Sequence, residues 1–179
     1  MTPVRRSSAQ RRRPLLVLAL TLVALCAPLF VNVASADART AAETRWAKAV
    51  LTVLNRERAA HHLAPLTARA RLASSARSHN LAMARADSMS HQLPGEAPLT
   101  KRISRTGYRW HAIGENIAYN TDISRAGLLL LQRLMYNERP PENGHRLNIL
   151  SRTFRDIGVD VYVDRAHHKV WLTEDFGAH

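Results

Sequence analysis

Cysteine is nearly absent from this chain. Its 179 residues hold one, Cys26, inside an apolar run near the N-terminus. A disulfide framework, a paired-cysteine metal site and thiol chemistry in the remainder are therefore excluded. Aromatic residues make up 6 % and lysine occurs three times, so arginine carries nearly all the positive charge. Short catalytic signatures are missing too: there is no G-x-S-x-G, H-E-x-x-H, P-loop, G-x-G-x-x-G or C-x-x-C. Whatever chemistry the chain performs rests on side chains that are far apart in sequence.

Acids are absent from residues 1–36, where five arginines precede an uncharged run from Pro14 to Ala36 that closes on Ala34-Ser35-Ala36. A basic start, an apolar middle and a small-x-small end predict a secretory signal peptide cleaved after Ala36. The competing reading is an uncleaved anchor, since the run approaches the ~20 residues that span a bilayer; Pro28 and the Ala-Ser-Ala end favour cleavage. Arg12-Arg13 is compatible with twin-arginine export. Residues 37–41 read as a short linker and 42–179 as one domain with a single core. Cleavage lowers the net charge from +12 to +7 and leaves no membrane span. The excess suits contact with anionic envelope polymers, or is simply a solvated surface. No aromatic interleaving accompanies the arginines, so a nucleic-acid platform is not expected.

Periodicity sets the elements. Trp46, Ala49, Val50, Val53 and Leu54 predict one helix over 42–60; Leu72, Ala76, His79 and Met83 predict a second over 68–86. Pro98 opens a short third helix stopped by Gly107. The stretch 108–120, with β-branched and aromatic residues around Gly114, predicts a kinked strand. Leu128, Leu131, Leu134 and Met135 stripe a further helix capped by Asp122 or Ser124 and ended by Pro140-Pro141. Ile157, Val159, Val161 and Val163 alternate against Asp160 and Tyr162, and 169–177 returns after a turn, a hairpin. Helices flanking a small, mainly antiparallel sheet give an α+β layered fold.

Loops and element ends are where functional groups concentrate. They hold His91 after the second helix, Glu115 inside the apolar strand, Glu138 at the end of the long helix and His145 after the double proline. Other histidines have blander readings. His61 and His62 suit helix-end carbonyls, His79 lies on a core face, His167 and His168 sit in a turn, and His111 is an extra that could line a cleft. Ser90 beside His91 is discounted as a nucleophile because sequence neighbours in a loop rarely converge.

The segments Ser90-His91-Gln92, "GYRWHAIGENIAYN", "GHRLNIL", "FRDIGVDVYVD" and "VWLTEDFG", in this order over about 42–177, resemble the CAP superfamily. That family, also called SCP-like, contains cysteine-rich secretory, antigen 5 and pathogenesis-related proteins; the likeness is to its short bacterial branch. The resemblance implies a three-layer α–β–α sandwich with a central cleft carrying two histidines and two acids. Motif by motif these are His91, Glu115, Glu138 and His145, with Glu142 the rival for the third place and Met135 standing where tryptophan is usual. Two neutral imidazoles suit zinc or another divalent cation, with the glutamates as ligands or as hydrogen-bond partners that fix the rings; a buried His–Glu network without turnover is the structural alternative. The resemblance implies a secreted or envelope-associated module that binds a small-molecule, lipid or cell-envelope ligand. A metal- or His/Glu-dependent hydrolase of peptide or cell-wall bonds is one alternative, and a cationic protein binding anionic polymers is another.

Overall fold

The computed structural model describes residues 39–179; the expected signal peptide lies outside the described residues. Nine elements follow in order: α1 (Ala41–Ala60), β1 (Thr67–Ala68), α2 (Ala70–Ala86), α3 (Leu99–Arg105), β2 (Ala112–Asn120), α4 (Arg125–Tyr136), α5 (Gly144–Ile149), β3 (Asp156–Asp164) and β4 (Lys169–Ala178). The sheet order is β1-β3-β4-β2. β4 pairs antiparallel with β3 and β2, and only the two-residue β1 runs parallel to its neighbour. α1 and α4 pack on one face and α2 on the other, giving the expected α–β–α sandwich.

Each strand alternates between two different interiors. Ile157, Val159, Val161, Val170, Leu172 and Phe176 join Val50 and Leu54 of α1 and Leu128 and Met135 of α4 in an apolar core. Each such side chain stabilises the fold by about 1.5–3 kcal/mol. The other face carries polar residues and is buried as well. Asp160, Thr173 and Asp175 are fully buried there beneath α2. Asp160 accepts from Arg39 Nε at 2.8 Å and from Asn80 Nδ2 at 2.7 Å. Backbone approach makes this possible: a Cβ at Gly158 would stand 2.0 Å from Ala73 N, so α2 lies directly on the strand.

Several local expectations shift. Residues 39–41 are part of the domain, not a linker: Arg39 pairs with Asp160, and Thr40 caps α1 in a reciprocal box with Glu43. The buried stripe of α1 runs through Glu43, Ala47, Val50, Leu54 and Arg58, leaving Trp46, Ala49 and Val53 half-buried. Ala68 is a strand residue because Thr67 N and Arg69 N donate to Arg155 O and Ile157 O, and α2 starts only after that pairing. Leu134 is 57 % exposed. Gln132 turns the buried arc of α4 toward α1, where its Nε2 donates to Glu57 at 2.7 Å, and at about 100° per residue Leu134 then falls outside it. β2 pairs with β4 without interruption from Ala112 to Asn120, so Gly114 makes no kink. It is small because a Cβ there would meet Phe154 Cζ at 2.9 Å and Asn148 Oδ1 at 3.1 Å.

Candidate functional site

β2 presents Glu115 to the α2 face and Asn116 to the opposite one. The loop after α2 brings His91 over Glu115, with His91 Nδ1 2.9 Å from Glu115 Oε1. The second carboxylate oxygen accepts from Arg102 Nη2 at 2.8 Å, and the same nitrogen donates to His91 O at 3.0 Å. α3 therefore clamps both members of the pair. Below them His79, wholly buried, holds Glu96 Oε1 through Nδ1 at 2.8 Å, and its Nε2 stands 3.8 Å from Glu115 Oε1. His79 is thus a core residue with a polar task. Burial alone would raise the pKa of Glu115, but the His91 hydrogen bond, with His79 and Arg102 adding their charge, takes it below the ordinary carboxylate value. Asp175, opposite Glu115 in register, is driven well up by burial and by the Glu115 charge. The two facing carboxyls are thus pushed in opposite directions.

The second pair is built differently. α4 stops at Tyr136, so Glu138 lies in the following loop rather than on the helix, and His145 is the second residue of the six-residue α5. Glu138 Oε1 bonds His145 Nδ1, while Oε2 accepts from His145 N at 3.0 Å and lies 3.4 Å from Arg146 N. One carboxylate thereby orients the ring and satisfies the start of α5. Glu142 lines the cleft, and no hydrogen bond joins it to either histidine among the described residues. Geometry selects Glu138 as the acid beside His145.

A cleft of about 570 Å³ is lined by His91, Glu115, Glu138, Glu142 and His145 together. Asn116 and Asn148 close its floor. Asn116 Nδ2 donates to His145 O at 3.2 Å and to Glu174 Oε2 at 3.1 Å, and Asn148 Nδ2 donates to Asn116 Oδ1 at 2.9 Å. Glu174 is fully buried, which pushes its pKa up to about 8 despite the Asn116 hydrogen bond. An apolar groove of about 290 Å³ adjoins the cleft; Met89, Ile117, Tyr119 and Leu134 line it, and it shares Glu138 and His145.

Sequence reasoning missed Arg102, Glu96, Asn148 and Glu174 as parts of this constellation. No local spacing marks them, since each acts across the fold. His111 does not line the cleft; it is exposed, and its backbone N donates to Ala178 O. Ser90 Oγ donates to Gln92 O at 2.9 Å, as a turn residue does. His61 contacts Tyr136 OH at 2.9 Å, and His167 bonds Asp164, so neither belongs to the cleft.

The donor set fits a cation held by two histidines. Each ring spends Nδ1 on a carboxylate, the outer-shell arrangement that fixes a ligating imidazole, and leaves Nε2 for a ligand. Both oxygens of Glu115 and of Glu138 are already engaged, so the acids orient the rings. Among the described residues no three His, Cys, Asp or Glu side chains stand together at metal-binding spacing, so the protein would offer such an ion two donors.

The model of the cysteine-rich secretory protein family matches residues 51–176. The fold is similar to an extracellular SCP-domain protein of Bacillus anthracis, at 27 % identity and TM-score 0.65, covering 76 % of this chain and 41 % of that one. It is also similar to an outer surface protein of Borrelia burgdorferi, at 15 % identity and TM-score 0.65, covering 75 % and 93 % of the two chains. A cysteine-rich secretory protein of Staphylococcus aureus gives 19 % identity and TM-score 0.58, covering 79 % and 40 %. The last two likenesses concern the fold alone. The chain thus spans about two fifths of the Bacillus and Staphylococcus proteins. No curated protein matches the sequence.

Proposed function

The chain belongs to the cysteine-rich secretory protein (CAP) family, and on that premise we propose that it is an exported ligand-binding module of the bacterial envelope or its surroundings. Its cleft holds a divalent cation, zinc being the test ion, through Nε2 of His91 and Nε2 of His145. One observation carries the reading: both imidazoles line one open cleft, and each is held through Nδ1 by its own carboxylate. A bound cation supplies positive charge for an oxygen of the ligand. The adjoining groove with Met89, Tyr119 and Leu134 supports a ligand that also carries an apolar arm. Extracellular and outer-surface relatives of the same fold support export, as does the expected signal peptide.

Calorimetric titration of the metal-free protein with zinc tests the proposal. One cation per chain is expected, with affinity reduced on the order of 100-fold or more in His91→Ala and in His145→Ala, since each removes one of two protein donors. Equal affinity in wild type and in the double variant overturns it.

A further inference from the structure

A second polar corner lies away from the cleft, where the turn after α3 meets the start of α2 and the end of β4. Two hollows of about 390 and 590 Å³ adjoin there and share Tyr108 and Arg109. Arg69, Arg71, Arg109 and His179 line the first around Asp156; Trp110 and Ser104 line the second. Asp156 is buried and fully engaged, accepting from Arg69 Nε, Tyr108 OH and His179 Nδ1 at 2.8 Å each. Burial and the Asp156 charge raise the pKa of the Tyr108 phenol, which stays a donor to that carboxylate. The acid therefore fixes Arg69, Tyr108 and His179 in place, and neither Arg71 nor Arg109 pairs with it among the described residues. Arg71 Nη1 donates to Gly107 O at 2.8 Å, and Arg109 is exposed with no carboxylate partner among the described residues.

The chain around this corner is cationic on both sides. No Asp or Glu occurs between Glu57 and Asp87, or between Glu96 and Glu115, the two segments that supply most of the corner's lining. Next to the arginines stands Trp110, 36 % exposed, its indole N–H tied to Ser104 Oγ at 3.1 Å. A held, partly exposed aromatic ring beside the guanidinium groups offers a flat apolar face that a small free anion does not use. It suits a chain in which sugar rings alternate with negative groups. A single aromatic is too few for successive stacked bases of a nucleic acid. We propose that this corner binds an acidic polysaccharide, with Arg71 and Arg109 meeting carboxylate oxygens and Trp110 covering an adjacent sugar face.

The probe is polygalacturonate, titrated into the full chain at about 0.15 M salt, where charges more than about 8 Å away are screened. Arg71→Ser with Arg109→Ser is expected to weaken binding about tenfold or more, the loss of two charge-assisted contacts. Trp110→Ala is expected to weaken it about fivefold, in the range of a lost ring contact. The control is Arg45→Ser with Arg56→Ser on α1, both exposed and removing the same charge; it should change affinity less than about twofold once salt screens the distant charges. Unchanged melting temperatures confirm that all three variants are folded. Equal weakening by the control pair overturns the proposal in favour of diffuse charge. Polyphosphate binding as tightly as polygalacturonate, with no effect of Trp110→Ala, overturns it in favour of a plain anion site, and tighter binding of single-stranded DNA overturns it in favour of nucleic acid. His91→Ala and His145→Ala leave the binding intact, so its failure is separate from failure of the cation site.

Discussion

The two histidine–acid pairs of the cleft use the same contact on different foundations. Glu115 sits in a continuously paired strand with its side chain 2 % exposed, and Arg102 and His79 support it from below. Glu138 sits in a loop with 23 % exposure and is fixed mainly by the residues it orients, His145 and Arg146. The exposures of the rings are reversed: His91 is 61 % exposed over its buried acid, while His145 is 32 % exposed on its helix. One pair sets an exposed histidine over a deeply buried acid, and the other joins a half-buried histidine to a half-buried acid. The site therefore has one firmly buttressed wall and one that rests on fewer contacts.

Removing Arg102 strikes the firm wall hardest. Arg102→Met leaves the Glu115 charge buried without its main cation, and a loss of about 3–5 kcal/mol is expected in urea unfolding. Adding Glu115→Gln should recover part of that loss, because no buried charge then remains. If Arg102→Met costs no more than a surface change, the contrast between the two walls disappears.

Next in size is the acid beneath the floor. Folded Glu174 keeps its proton up to about pH 8, whereas the unfolded chain releases it near pH 4.5. Between those values the native state binds more protons, so this group lowers stability as pH rises through that window. Glu174→Gln imitates the protonated form. It should be more stable than wild type at pH 8, lose that advantage below about pH 4.5, and keep the Asn116 contact that both walls share. Melting temperatures across pH 4 to 9 (~0.5-unit steps) follow this directly. Identical profiles for the two proteins would show Glu174 ionised in the fold.

The less buttressed wall should yield least. Glu138→Gln weakens one ring contact and the start of α5, an expected cost of about 1–2 kcal/mol. Glu142→Gln should change stability by less than about 0.5 kcal/mol, as a change at an exposed surface residue does. Equal effects at the two positions would reopen the choice between them.

The firm wall was the more legible in sequence. Glu115 lies in an apolar strand where a charge is conspicuous, and His91 lies in a loop that periodicity separates cleanly from the second helix, whereas His145 opens a short helix after the double proline. What could not be read was whatever depends on two elements meeting. The alternation of β3 separated Asp160 from the apolar residues, but nothing local reveals that it is wholly buried beneath α2. Leu134 fitted its helix stripe and was displaced by Gln132, whose partner Glu57 lies 75 residues away in the chain. Arg102 offered no signal at all, since its value comes from a carboxylate on a strand reached only after a turn.

Ring-nitrogen NMR of the ¹⁵N-histidine-labelled protein, with and without zinc, tests the cleft most directly. Nε2 of both His91 and His145 should shift to the metal-bound position on addition of one equivalent, while both Nδ1 atoms keep the signature of a protonated nitrogen bonded to a carboxylate. Zinc that moves Nδ1 in either ring, or that leaves both rings unchanged, contradicts the arrangement.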